Sequence, residues 1–536
     1  EQTLAPDCLA VSTFEDGAPG RWRVEALVAR APDRKALRLA VAAALGVSLQ
    51  GSAVKITLVS PVDGRSSIGV ARIRGGKQSF HSSLGIDEQE LIRETSGVIA
   101  LGTRFTGFAD GNESIFVPLG GHGMTLRLVP FHQYWRALRL AGDDHDFNDY
   151  SLPAAAAAHG RFVPVQQTDD PVFATVEYDI LVDPDLYTHF FRQVAREFGV
   201  TEMNDTVSAT MTGAGGHIEA VRLAGGSKLD GDLFIDCSAE RSIYSALDSS
   251  ADIEDWSDWL QCDRLLSVLT KKLRAPELFT STKAISEGWL QRNTLQNFTV
   301  ESLAYCSHHL DDDDAKAILE KSLKHPPLSS SQLTPSVARR LRKPWRRNCV
   351  AIGRAALEIE PLCVSILQVA QNTALRLLAM LPASRENSVL ATEFNRITGE
   401  EHAGIRDFTI LHYHLANRLV SPFWQAVRRA ALPDARRNGA REHTLAHTLN
   451  VSFAGASGEA LVEALDLEGI AVATGAACHA GSTEPSHVLE AMGVPRELGA
   501  AAIRFSLGPG SDDAQVARVL DVLPRVVARV RGARAA

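Results

Sequence analysis

Residues Leu229–Ser238, LDGDLFIDCS, carry the reading on which the fold turns. The apolar run Leu233 to Ile235 ends on Asp236 and a polar turn, which is a strand leaving a sheet. Towards the N-terminus, Val54 to Ser60 (VKITLVS) is rich in β-branched residues and reads as a second, buried strand. A third strand is expected over Trp22 to Val28 and a helix over Pro32 to Leu45. Pro32 suits a first helical turn, and Gly46 suits a helix end. Together these give β-α-β, the opening of many nucleotide-binding domains.

Further along, Leu152 to Ala158 carries five consecutive alanines and reads as helix. Tyr187 to Phe198 has helical periodicity, with Phe190, Phe191, Val194 and Phe198 available for one face. Asp311 to Asp314 reads as a solvated helix start, where negative charge suits the helix dipole. Pro326 to Pro335 reads as a loop. The basic cluster Arg339, Arg340, Arg342, Lys343, Arg346 and Arg347 reads as a solvated turn, with phosphate contact the sharper alternative. Arg428 to Arg441 straddles Pro433 and Gly439 and has the composition of a junction. Beyond it, strands are expected over Leu445 to Phe453 and Gly469 to Thr474, with a helix over Ser457 to Asp466 between them. Helices are expected over Pro485 to Met492, Asp512 to Leu523 and Leu523 to Arg531.

The bulk properties set bounds. At 536 residues the chain is too long for one core. A formal net charge of -9 argues against a general nucleic-acid binder, which would show a basic face. No apolar run of about 18 residues suggests a membrane span, and the start shows no secretory signal. The seven cysteines are scattered without a CxxC pair, so reduced thiols in a cytoplasm are expected and no metal site.

Several short stretches carry a family resemblance. They are IGV at Ile68 to Val70, FHQYW at Phe131 to Trp135, DLFIDCS at Asp232 to Ser238, NCVAIG at Asn348 to Gly353 and IEPL at Ile359 to Leu362. LGIDEQELIRET, FNR, IRDFTILHYHLANR and PFW support the same frame. In this order, from about 50 to 424, they resemble a flavin-dependent tryptophan halogenase. The resemblance implies a flavin-monooxygenase-like dinucleotide-binding domain with a helical substrate domain. It also implies FAD, a small aromatic substrate such as tryptophan or indole, and a flavin reductase as partner. In that chemistry a lysine relays the halogen formed at the flavin, and a glutamate helps place it on the arene.

The chain departs from the family at its motifs. A glycine-rich GxGxxG turn should follow the first strand and let the backbone approach a pyrophosphate. Ala29, Arg30, Ala31, Pro32, Asp33 and Arg34 stand there instead. The family's GEATIP is replaced by Ala71, Arg72, Ile73, Arg74, Gly75 and Gly76. The relay lysine is missing from Phe108, Ala109 and Asp110, and of WxWxIP only Trp289 remains. Cys363 replaces the catalytic glutamate beside the substrate, and reads first as a small buried apolar side chain. Ser365 still offers a hydroxyl to a halide, and Ile366 is bulkier than the usual small residue. The cofactor-binding residues expected are Asp236, Gly353, Arg354, Ser365 and Ile366. An active halogenase is not expected of this set.

From Leu432 a second resemblance begins. LPDARRNGA, HTLNVSF, the run Gly458 to Gly493 and IRFSLG resemble the small C-terminal α+β domain of a cysteine desulfurase. There Cys478 matches the sulfur-carrying nucleophile and Arg504 the arginine that grips the substrate carboxylate. Pyridoxal phosphate is not expected, because nothing before Leu432 resembles the domain that holds it. A shorter stretch, about 8 to 46, resembles the N-terminal recognition domain of a ribosomal-protein methyltransferase. Three segments are thus expected, 1–49, 50–430 and 431–536. Three functions stay open: a halogenase-like protein of reduced or lost activity, a sulfur-handling protein using Cys478, or a non-catalytic fusion. The oligomeric state is not set by these motifs.

Overall fold

The computed structural model describes residues 23–27, 35–52, 54–60, 68–108, 114–126, 129–162, 176–213, 215–238, 243–247, 252–381, 388–416, 421, 423–424, 435–439, 448–474, 486–508 and 513–535. The chain divides into two compact units between Trp424 and Gln425.

The first unit opens with strand β1 (Arg23–Leu27), helix α1 (Lys35–Ser48) and strand β2 (Lys55–Ser60), as the β-α-β reading expects. β1 lies inside a six-stranded sheet, parallel to β2 on one side and to Leu233–Asp236 on the other. Thr201–Asn204 continues the sheet beyond β2, and Cys349–Ala351 continues it beyond Leu233–Asp236. Strand Arg23–Leu27 is therefore a central strand of this sheet. Burying both faces explains the unbroken apolar runs: Ile56, Leu58, Val59, Leu233, Phe234 and Ile235 are all buried. α1 packs with its alanines and leucines against the helices Pro184–Glu197 and Ile366–Ala379.

A seven-stranded, mostly antiparallel sheet forms the second layer. Its order runs Gln332–Pro335, Arg264–Lys271, Phe298–Tyr305, Gly288–Thr294, Thr280–Ile285, Gly102–Thr106, Ser114–Pro118. By composition Gln332–Pro335 reads as part of a loop. It is an edge strand pairing with Arg264 to Ser267, and an edge tolerates the missing N–H of Pro335. The long helix Ser388–Leu415 supplies Phe394 and Tyr413 to the interior.

The four-aspartate run starts helix Asp312–Ser322, with the Asp311 carboxylate accepting from Asp314 N at 2.8 Å. In the basic cluster Arg342, Lys343 and Arg347 are exposed, as a solvated turn requires, while the other three are held in ion pairs. Arg340 pairs with Glu254 at 2.8 Å, Arg339 with Glu358 at 3.0 Å and Arg346 with Asp252 at 2.5 Å.

The second unit has an antiparallel sheet of Ala435–Asn438, Thr448–Phe453 and Ala502–Ser506. Helix Gly458–Asp466 is capped by Ser457 and packs Leu461 and Leu465 into a core with Phe453, Ile503, Val526 and Val527. Gly469 to Thr474 forms only a bridge, Ala473 to Arg504, where a strand was expected. The last two expected helices are one, Asp513–Ala535, running through Pro524. Among the described residues, no helix is long and apolar enough to cross a membrane.

Candidate functional site

Three pieces of chain converge on a cavity of about 250 Å³ in the first unit. The first turn of α1 supplies Ala36 and Leu37, and the segment entering strand Ala71–Arg74 supplies Gly69 to Arg72. The loop Ile359 to Ser365 closes the third side and runs into helix Ile366–Ala379. The seven-stranded sheet forms the floor with Arg264, Thr280, Gln291 and Asn293.

Of the residues assigned to the cofactor, Arg354, Ser365 and Ile366 line this cavity. Ser365 is the N-cap of its helix but its hydroxyl makes no capping bond, so it stays available at a helix N-terminus, where anions are favoured. Arg354 spends one terminal nitrogen on Glu358 at 2.6 Å, while its buried Nε has no hydrogen-bond partner. Gly353 stands behind the wall. Its φ of +63° and its closeness to Leu37 demand a residue without a side chain.

Asp236 is placed differently. It is fully buried at a strand end and accepts from Ser238 N (2.8 Å), Ser238 Oγ (2.6 Å), Ile243 N (2.9 Å) and Tyr244 N (2.9 Å). Its oxygens hold the polar turn after the strand, and it does not line the cavity.

Cys363 is half-buried on the closing loop. Burial pushes its thiol up, the charge of Glu360 adds to this, and Arg72 opposes it. It therefore stays a neutral thiol at neutral pH. At the expected place of the relay lysine, Phe108 is buried and packs edge-on against Phe105 and Trp424, at centroid distances of 5.1 and 6.1 Å. Ala109 and Asp110 lie outside the described residues, as do Ala29 to Arg34 and Cys478. In the second unit, Arg504 sits on a strand opposite Asn450 and bonds the backbone of Ala473.

Glu360 belongs to the IEPL motif, but the sequence alone assigns it no role. Glu360 lines the cavity and is 3% exposed. Tyr413 donates to its Oε2 at 2.6 Å, and Trp289 Nε1 donates to the Tyr413 oxygen at 2.9 Å. Tyr413 Oη also lies 3.2 Å from Cys262 Sγ. Burial raises the Glu360 carboxyl to about 7. An acidic residue between the apolar Ile359 and Pro361 was the available signal. Its partners, at 262, 289 and 413, are too distant in sequence to read from it.

The cavity's arginines are held by acids. Arg72 donates to Thr280 Oγ1 at 2.8 Å and faces Asp179 at 3.4 Å, and Arg264 faces Asp263 at 3.3 Å.

The comparisons with known proteins agree with this arrangement. The tryptophan halogenase family model matches residues 39–465, and the aminotransferase class-V model matches residues 426–519. Tryptophan 6-halogenase ThaL of Streptomyces albogriseolus is 27% identical over 414 residues, which covers 74% of this chain and 77% of that protein. The structure of Xcc4156, a flavin-dependent halogenase from Xanthomonas campestris, superposes with a TM-score of 0.71 at 26% identity, covering 96% of each chain. The cysteine desulfurase IscS of Dictyoglomus turgidum is 44% identical over 100 residues, 19% of this chain and 25% of its own length. The chain thus spans about a quarter of the cysteine desulfurases it matches. With the family model covering most of the chain, and the sheet, cavity and closing loop in place, this protein belongs to the tryptophan halogenase family.

Proposed function

We propose that this chain is a flavin-binding member of its family in which halogenation is reduced or lost. The described residues fit the ring end of a flavin. The unused hydroxyl of Ser365, the helix N-terminus behind it and the unpartnered Nε of Arg354 offer hydrogen-bond donors to an electron-rich edge. Val70, Leu181, Leu265 and Ile359 offer apolar cover. FAD, when bound, supplies the oxygen chemistry that no side chain here performs. The chain's own residues hold the ring, exclude water and present a ligand to it. The substrate class we assign is a small aromatic such as tryptophan or indole, with a separate reductase delivering reduced flavin.

One observation carries the loss of activity. A neutral thiol stands at Cys363, where the family resemblance places a glutamate, and no lysine lines the cavity among the described residues. Positioned acid–base groups contribute about 10²–10⁴-fold to such reactions. Titration of the full chain with FAD, followed by fluorescence quenching, tests the reading. Micromolar binding with tryptophan chlorination at least about 100-fold below an intact relative is expected. Absence of binding at high micromolar FAD, or chlorination at the relative's rate, would overturn it.

A second reading concerns Cys478. The backbone of Ala473 bonds Arg504 on strand Ala502–Ser506, five residues before Cys478, which keeps the desulfurase-like strand and its arginine together. Under this reading Cys478 accepts sulfur from another protein, because the pyridoxal phosphate domain is not matched here. Persulfide labelling of Cys478 after incubation with a sulfur-loaded desulfurase tests it, and an unlabelled Cys478 would remove it.

A further inference from the structure

We propose that Glu360 is a ligand-binding residue of the cavity, whose free oxygen accepts a hydrogen bond from a neutral N–H or O–H donor. This rests on the reading of the cavity as a binding site, and adds a residue that the family resemblance does not assign there.

The argument starts from hydrogen-bond accounting. Buried polar atoms are nearly always paired, and an exception needs a reason. Oε2 of Glu360 is paired with Tyr413, but Oε1 is buried without a partner. Three of the polar side chains that line the cavity with it, Gln291, Asn293 and Arg72, are already engaged. Gln291 bonds Thr282 and Pro361 O, and Asn293 bonds Gln291 and Thr280. Arg72 is held by Thr280 and Asp179. The carboxyl is also fixed. Tyr413, itself anchored by Trp289, holds it from the helix Ser388–Leu415, so turning away breaks its bond to Tyr413. An acceptor that is rigid, buried and unused at a cavity wall is what recognition of one donor requires.

Protonation makes this binding pH-dependent. The groups that face Glu360 are Tyr413, Cys262, Trp289 and Cys363, while Arg72, Arg264 and Arg354 line the same cavity. Burial pushes the two thiols and the Tyr413 hydroxyl up, so all three stay neutral near pH 7. Glu360 is then the group of this set that changes charge between pH 6 and 8. Its carboxylate is a better acceptor than its acid, so donor ligands bind more tightly at the higher pH.

Calorimetry on the full chain with indole and 1-methylindole tests this. The pair differs at the ring nitrogen, where 1-methylindole carries a methyl group in place of the hydrogen. Indole is expected to bind at least about 10-fold tighter than 1-methylindole at pH 8, with the gap shrinking by pH 6. Glu360→Gln removes the titrating group, so the pH dependence of indole binding is lost. Glu360→Leu removes the preference for indole over 1-methylindole. Equal binding of the two probes, no binding of either, or an unchanged pH dependence in Glu360→Gln would overturn the proposal. Flavin titration of the same samples separates this from failure of the flavin reading, since either result can occur without the other.

Discussion

Gly353 and Leu37 meet because residue 353 has no side chain: a Cβ there would lie 2.4 Å from Leu37 Cδ1, and φ at 353 is +63°. The contact joins the NCVAIG turn to the first turn of α1, and Leu37 and Arg354 both line the cavity. Gly353→Ala is expected to lower stability by about 1–2 kcal/mol from the left-handed backbone alone. Displacing Leu37, the flexible end of which can yield, adds to that. A lower melting temperature together with weaker FAD binding checks it.

Glu360 makes stability depend on pH. Its carboxyl is raised from 4.5 in the unfolded chain to about 7 in the fold. As pH rises through 4.5 the unfolded chain loses this proton first, so the unfolded state gains and stability falls until about pH 7. The loss from this one group is at most about 3 kcal/mol. Urea denaturation at pH 5 and pH 8 is expected to show a smaller difference in Glu360→Gln than in the unaltered protein.

Asp236 is a structural carboxylate. Asp236→Ala would strand two backbone N–H groups from Ile243 and Tyr244 and one from Ser238, all buried. Each stranded donor costs about 1–3 kcal/mol. A loss of at least about 3 kcal/mol in chemical denaturation is expected. A direct cofactor role would instead weaken FAD binding and leave the unfolding midpoint in place.

The thiols of Cys237, Cys262, Cys306, Cys349 and Cys363 are all pushed up by burial. Thiolate is the reactive form, so native alkylation at pH 8 is expected to be on the order of 100-fold slower at these five than in urea. Mass-spectrometric mapping of iodoacetamide adducts measures this directly. Rapid native labelling of Cys363 would show that it is open to solvent and ionised.

Much of the architecture was legible in residues close together in sequence. Val54 to Ser60 forms a strand because β-branched residues suit a buried sheet, and Asp311 starts a helix because its carboxylate caps Asp314 N. Gln332–Pro335 was not legible, since Ser and Pro composition says loop until Arg264 to Ser267 offers an edge to pair with. Arg339, Arg340 and Arg346 likewise read as solvated until Asp252, Glu254 and Glu358 were folded against them.

The site divides in the same way. Sequence by itself determined the order of the motifs, the missing glycines at 29–34 and the thiol at Cys363, because each is a matter of which residue stands at a position. Only the tertiary structure decided that Arg354, Ser365 and Ile366 share one cavity and that Asp236 serves its own turn. It alone also set Glu360 against Tyr413, 53 residues away, and left one oxygen unused. The physical reason is that burial and hydrogen-bond satisfaction belong to neighbours in space. A carboxyl's charge and its spare acceptor are fixed by what packs around it, which local sequence does not contain.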